Sequence, residues 1–172
     1  NIGEEPVIYD VNQAHQSQSD LLAAMHNMGY MRASVQLDTR TKGKKITAAY
    51  TITPGQAYFI DNVHYIIDDD SIANLLKIEQ PNSKFHIAKG TKFSVDKLDN
   101  IRKRISDYLL NSGFYRFNKD FIQFTVDSAA NSQLLDVTLH LYPYRAYNDA
   151  PAVFHPRYKV GRIDYHTDNA NG

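Results

Sequence analysis

Histidine is the residue type in this chain best suited to binding a metal or transferring a proton. The chain has seven: His15, His26, His64, His86, His140, His155 and His166. None forms the histidine pair with an intervening glutamate that a zinc protease uses, and there is no cysteine to add a thiolate. His15 and His26 are eleven residues apart and could share a helix face, so a site there is the alternative to our expectation of no metal. The lack of cysteine also excludes disulfides and a cysteine nucleophile.

Asp68-Asp69-Asp70 is a second group with possible metal chemistry. A calcium loop of the EF-hand kind alternates its ligands and places a glycine at the sixth position, and this run does neither. Carboxylates also stabilise the first turn of a helix, which is our interpretation of the run. The sequence shows no Gly-x-Ser-x-Gly elbow and no phosphate-binding Gly-x-x-x-x-Gly-Lys loop. We therefore predict that the chain is not an enzyme and uses no cofactor.

The overall charge narrows the range of partners. Lysine plus arginine equals aspartate plus glutamate at 19 each, and no long run has one sign. A balanced chain does not concentrate phosphates or anionic lipids at its surface, so we predict no nucleic-acid partner. Hydrophobic residues make up 42% of the chain, enough for a core, yet no apolar stretch approaches the roughly 20 residues that cross a bilayer.

An internal repeat organises the chain. Residues 10–30 and 94–114 align without a gap at an offset of 84. Each copy opens on a capping residue followed by valine, continues as an amphipathic helix, and ends in Asn-x-Gly-aromatic. In the second copy the apolar positions recur at helical spacing, and we expect them to pack on a sheet: Val95, Leu98, Ile101, Ile105 and Leu109. Val11, Ala14, Leu21, Met25 and Met28 form the weaker stripe of the first copy.

Each helix is followed by residues that alternate with a period of two. After the first helix, residues 31–38 and 46–52 alternate around a turn at Gly43, which predicts a hairpin with one dry face. After the second, Ile122, Phe124, Val137 and Leu139 are the corresponding apolar positions. A third echo, Tyr-x-[Ile/Val]-x-x-[Val/Ile]-x-Tyr, occurs at 58–65 and at 158–165, and its change of period predicts a strand with a bulge. A short helix after Asp69 and a proline-containing connection at 142–156 complete the pattern.

The predicted fold class is therefore α+β, built from tandem βααββ units, each with a three-stranded mixed sheet covered on one face by two helices. We divide the chain into the C-terminal part of a first unit (1–55), a complete unit (56–144), and a linker with the first strand of a following unit (145–172). We expect the strand at 158–165 to add itself to a sheet edge of its own molecule or of a neighbouring copy.

This pattern resembles the POTRA domains, the polypeptide-transport-associated modules in the periplasmic arms of outer-membrane barrel proteins of the BamA and TamA type. The motifs that carry the resemblance are the helix-ending Gly-aromatic pairs, the junction Pro54-Gly55-x-x-Tyr58-x-Ile60-x-x-Val63, and Gly113-Phe114-Tyr115-Arg116-Phe117. The resemblance implies a non-catalytic module in the periplasm of a Gram-negative bacterium. It also implies the strand order first, third, second, which leaves the first strand of the hairpin outermost.

An outermost strand can pair with any extended peptide, whatever its sequence. The resemblance therefore implies that the chain captures unfolded outer-membrane proteins within an outer-membrane protein assembly factor. Other implied partners are periplasmic or lipoprotein assembly proteins and the factor's own C-terminal barrel. The expected edge strand comprises Phe121, Ile122, Gln123, Phe124, Thr125 and Val126. The alternatives are a structural spacer and docking arm for folded accessory proteins, or a POTRA module of a two-partner secretion transporter or a division protein.

Overall fold

A computed structural model describes residues 11–159 and residue 161 of the chain. It has three helices, α1 (Val11–Asn27), α2 (Asp70–Leu76) and α3 (Val95–Asn111). The strands are β1 (Ser34–Lys42), β2 (Lys45–Thr53), β3 (Phe59–Ile67), β4 (Ile122–Ser128) and β5 (Leu134–Leu141), and a short 3₁₀ helix (Lys119–Phe121) precedes β4. The α+β class predicted from the sequence is confirmed, whereas the division into tandem units stays a prediction.

β1 and β2 form a two-stranded antiparallel sheet on which α1 packs. Gly43 takes φ 62° at the first position of the two-residue turn, a conformation that favours glycine. The amide of Gln18 on α1 donates to the carbonyl of Val35 at 2.6 Å, and the Tyr50 hydroxyl donates to the Ala14 carbonyl at 3.3 Å. Ala14 and Val35 are the buried apolar residues of this layer.

The predicted dry faces of α1 and the hairpin are only partly realised. Met28, Met31 and Ile52 are exposed, with 51%, 45% and 43% of their surface in contact with solvent. Two strands and one helix provide too little area to cover a full apolar stripe, which is the physical reason for the difference.

The larger sheet has three strands in the order β3-β5-β4. β3 runs parallel to β5, and β4 runs antiparallel to it, so the sheet is mixed and β4 lies at an edge, as predicted. The pairing of β3 with β5 shifts register between Ile60 and Val63, which confirms the bulge predicted from the change of period.

α2 and α3 cover one face of this sheet. Leu139 on β5 and Ile105 and Leu109 on α3 have no exposed surface, and Ile72 and Leu76 of α2 belong to the same core. Ser94 caps α3 through a bond from the Lys97 backbone N–H. Val95 differs from expectation: it is 42% exposed, because it lies beside the sheet edge rather than over the sheet.

Asp69 confirms the capping interpretation of the acidic run. Its side chain accepts hydrogen bonds from the backbone N–H groups of Ser71 and Ile72, and it is completely buried. A second carboxylate oxygen accepts from the backbone N–H of His155 at 2.9 Å. The N-terminus of α2 therefore also holds the chain segment that follows β5.

That segment, residues 142–158, is a strap folded back on the domain. Tyr144 and Val153 bond each other through both backbone N–H groups, at 2.9 and 3.0 Å. His155 is buried, and the Tyr158 backbone N–H donates to the Gly113 carbonyl at 2.8 Å. The predicted strand at 158–165 lies largely outside the described residues, as does the predicted cap Asp10.

Candidate functional site

The unpaired side of β4 is the candidate site that the sequence predicts, and the structure places this strand at an edge of the larger sheet. The Tyr142 backbone N–H donates to the Phe121 carbonyl at 2.8 Å, and this pair continues the β4–β5 register. Hydrogen-bonded and non-hydrogen-bonded pairs alternate along an antiparallel ladder. Three residues of β4 therefore direct their backbone groups towards β5, namely Gln123, Thr125 and Asp127. The backbone groups of Ile122, Phe124 and Val126 point away from the sheet.

One of these outward backbone groups, the N–H of Ile122, already has a hydrogen-bond partner. The Ile122 N–H donates to the Lys119 carbonyl at the end of the 3₁₀ helix. The Ile122 carbonyl and the backbone groups of Phe124 and Val126 have no hydrogen-bond partner among the described residues. They form a short open ladder, which is the feature that an added strand needs.

The six sequence-predicted residues divide between two places. Phe121 is outside β4: it ends the 3₁₀ helix and packs against Phe117 and Tyr144, with ring centroids 5.6 and 6.2 Å away. β4 therefore begins one residue after the start of the predicted edge strand, because the 3₁₀ helix ends at Phe121. Ile122 is fully buried and offers only its carbonyl to the edge. Gln123 and Thr125 have exposed side chains, Phe124 is half-buried and Val126 is 38% exposed.

A groove of about 450 Å³ lies between this edge and the first turns of α3. It is lined by Phe93, Val95, Leu98, Asp99, Arg102, Ile122, Gln123, Phe124 and Val126. The residues from α3 were not assigned to a site from the sequence, because Val95 and Leu98 continue the apolar stripe of the core. The one available signal was Arg102, a charged residue four positions after Leu98.

One end of the groove is charged. The Arg102 guanidinium lies 3.3 Å from the carboxylate of Asp99, and it also donates to the Lys119 carbonyl at 3.0 Å. Lys103 lies 2.8 Å from Asp99. The hydrogen bond from Lys103 is the largest influence and lowers the pKa of Asp99. Burial opposes this shift, and the charges of Lys103, Lys119 and Arg102 each add a smaller lowering effect. These contacts fix the 3₁₀ helix and hence the start of β4.

The histidine considered for a metal site on α1 lies away from the β4 edge. His15 lies exposed on α1, 3.4 Å from Gln18. Among the residues that the structure describes, no group of three histidine or carboxylate side chains is placed to hold a metal ion. No described helix is long and apolar enough to span a bilayer.

No protein-family model matches the chain, and no curated protein sequence matches it. Solved structures do match. The chain is similar in structure to POTRA segments of BamA and Omp85.

Three of these structures illustrate the similarity. BamA POTRA3-5 from Haemophilus influenzae is 15% identical with a TM-score of 0.46, and the match covers 81% of this chain and 57% of that one. BamA from Haemophilus ducreyi lacking POTRA domains 1-3 is 10% identical with a TM-score of 0.45, over 80% and 24%. POTRA1-3 of the periplasmic domain of Omp85 from Anabaena is 8% identical with a TM-score of 0.33, over 76% and 50%. This chain therefore spans between a quarter and three fifths of their lengths.

Proposed function

We propose that the chain is a periplasmic polypeptide-binding module of an outer-membrane protein assembly factor, and not an enzyme. It captures unfolded outer-membrane protein strands by adding them to the open edge of β4. It consists of POTRA-like units, with a complete unit at 56–144. The observation that supports this best is the outward backbone ladder of Ile122, Phe124 and Val126 beside a groove.

The geometry suits an extended substrate of variable sequence. Backbone bonds to the ladder require no particular side chain, whereas alternate substrate side chains enter the groove over Val95 and Phe124. The apolar part of the groove accepts aliphatic and aromatic side chains, as they occur at every second position of a barrel strand. Arg102 and Asp99 at the other end accommodate polar ones.

The energetics favour weak capture. About five backbone bonds at a net ~0.5–1.5 kcal/mol each give ~2.5–7.5 kcal/mol. Ordering the peptide and restricting its motion cost a comparable amount. A weak site suits a protein that passes its substrate on, and further units in the same arm raise the effective concentration at the next site.

Val126 provides the test, because its N–H faces the open edge and its side chain is partly exposed. Proline at this position removes the outward donor and fills the edge without breaking the β4–β5 ladder. The probe is a fluorescent synthetic peptide with the alternating pattern of a barrel strand. Val126→Pro is expected to weaken its binding by about tenfold, whereas Val126→Thr, which keeps the N–H, leaves binding within about twofold.

The binding position is read from amide chemical shifts in the same titration. Perturbations along β4 and the first turns of α3 are expected. Equal binding by Val126→Pro and the parent chain, or perturbations confined to helix surfaces or to residues 142–156, would contradict strand addition. The latter result would favour the docking-arm alternative, while the secretion-transporter and division-protein alternatives differ in the full chain that carries the unit.

A further inference from the structure

The strap carries a concentration of exposed aromatic residues. Every exposed tyrosine among the described residues lies on the strap or stacks against it. The exposed apolar and aromatic side chains of this surface are Tyr115, Tyr142, Tyr147, Val153, Phe154 and Tyr158. Tyr147 and Phe154 are 69% and 64% exposed, more than any other large hydrophobic residue described. Side chains of this size are costly to leave in water.

This surface is held in place from beneath. His155 points inward and its Nε2 lies 2.8 Å from the Tyr142 carbonyl, while its neighbour Phe154 points outward. The paired backbones of Tyr144 and Val153 close the strap into a short ribbon, and Tyr115 stacks on Tyr158 with ring centroids 6.0 Å apart. The aromatic residues are thus presented on a fixed support, which reduces the entropy lost on binding.

The surface is also locally basic, although the whole chain is neutral. Four exposed cations lie on the strap or beside it, namely Arg116, Arg145, Arg157 and Lys159. Asp149 is the carboxylate within the strap, and Asp120 at the margin is paired with Arg102 at 3.5 Å. The guanidinium of Arg116 donates to the Tyr144 hydroxyl at 3.1 Å, so it is positioned among the rings.

We infer that the strap is a docking surface for an acidic segment of a partner protein that carries apolar side chains. Tyrosine and arginine are the residue types that dominate protein–protein binding energy, and arginine binds carboxylates through two parallel bonds. The side chains of this surface are not among those that line the β4 groove. This inference therefore does not rest on the proposed strand addition.

The test selects peptides from a random phage-displayed library on the immobilised chain. The immobilised chain carries Val126→Pro, which blocks the β4 edge, so that ligands of that edge are not enriched. The peptides recovered are expected to be acidic and to contain aromatic or aliphatic residues. Their affinity should fall by about tenfold or more in Tyr147→Ser/Phe154→Ser and should weaken as salt rises.

A matched control removes exposed apolar side chains from a different part of the chain. Met28→Ser/Met31→Ser removes two exposed apolar residues near α1 and is expected to leave the affinity unchanged. Amide shifts in the double strap variant must match the parent chain away from the strap, which shows that it is folded. Selected peptides that are neutral or basic, or that bind both variants equally, would overturn the inference.

Two further measurements address other occupants. Vesicles containing phosphatidylglycerol test the strap as a lipid-binding surface, and sedimentation of the chain alone tests it as a contact between copies. Neither binding is expected. Vesicle binding or self-association that is lost in Tyr147→Ser/Phe154→Ser would replace the acidic protein partner as the occupant.

Discussion

At the scale of single residues, His155 is the buried side chain in the described part of the chain that has a polar atom without a hydrogen-bond partner. It is 4% exposed and lies among Phe117, Phe121 and Tyr144, with ring centroids 5.0, 4.7 and 6.0 Å from its own. Its Nε2 is bonded to a carbonyl, so the neutral ring donates there, but its buried Nδ1 has no hydrogen-bond partner. A protonated ring would place an unpartnered N–H donor in this aromatic cage.

Acidification is therefore expected to destabilise the domain through His155. Burial lowers the pKa of His155 below its ordinary value of 6.5, although its bond to the Tyr142 carbonyl and the charge of Asp69 oppose the shift. As the pH is lowered, His155 is protonated near pH 6.5 in the unfolded chain and only at a lower pH in the folded chain. Stability from this residue is thus complete above that pH and decreases as the pH falls below it.

Urea unfolding at a series of pH values between about 7.5 and 5 measures this effect. His155→Gln keeps a donor for the Tyr142 carbonyl and removes the titrating ring, so its unfolding free energy should depend less on pH than that of the parent chain. The charge of Asp69, which acts on His155, remains in both proteins. An identical pH dependence in the two proteins would show that His155 does not titrate on unfolding.

At the scale of elements, α3 contributes residues both to the core and to the candidate site. Ile105, in its middle, has no exposed surface, and Val95, in its first turn, forms part of the groove. Replacing Ile105 by alanine leaves a cavity between α3 and the sheet. This substitution should lower the free energy of unfolding by about 2–5 kcal/mol.

Val95→Ala on the same helix is the matched control, with an expected change within about 0.5 kcal/mol because Val95 is already exposed. Chemical denaturation monitored by far-ultraviolet circular dichroism gives both values. The same Val95→Ala protein should bind the barrel-strand peptide more weakly. A loss of stability in Val95→Ala equal to that in Ile105→Ala would place both residues in the core and remove one wall of the groove.

These elements also show how far the sequence predicts the fold. The bounds of α3, its Ser94 cap and the bulge of β3 are predicted because each depends on local pattern and capping chemistry. The outer position of β4 came from the resemblance and is confirmed. The α3 wall of the groove was not predicted, since periodicity identifies an apolar stripe but not which of its residues extends past the sheet edge.

The fold of the strap was not predicted: the sequence indicates a proline-containing connection at 142–156, which the docking-arm alternative makes one possible contact of a folded partner. Its folding depends on distant contacts, such as the bond of the His155 backbone to Asp69, which is 86 residues earlier in the chain. No local signal relates a capping aspartate to a histidine so far along the chain. The same reason explains why the aromatic surface on the strap could not be assigned before its support was known.

At the scale of the whole molecule, two glycines mark close approaches between distant segments. A side chain at Gly29, which has φ 97°, would overlap the Phe93 carbonyl, and one at Gly113, with φ 99°, would overlap the Tyr158 carbonyl. Gly43 has φ 62° but open space around it. The glycines at the ends of α1 and α3 therefore allow both the left-handed backbone conformation and the close approach of another segment.

Gly29→Ala should consequently destabilise the chain more than Gly43→Ala. Both substitutions pay the cost of a left-handed residue, about 1–2 kcal/mol, but Gly29→Ala must also separate the end of α1 from Phe93. Thermal unfolding compares the two, and limited proteolysis after α1 reports whether the contact has opened. Equal losses in both variants, with unchanged proteolysis, would show that the contact at Gly29 is easily relaxed.

The contact beside Gly29 has a mechanical consequence. The Ser94 hydroxyl donates to the Asn27 carbonyl at 2.9 Å, and the same oxygen accepts from the Lys97 N–H inside α3. The ammonium group of Lys92 lies 2.6 Å from the Tyr30 hydroxyl, which adds a second attachment. A tensile force applied to the hairpin of β1 and β2 therefore passes into the long helix through Ser94 and Lys92 as well as along the chain. Because Ser94 also caps α3, the first turn of that helix, which forms one wall of the β4 groove, is attached directly to the end of α1.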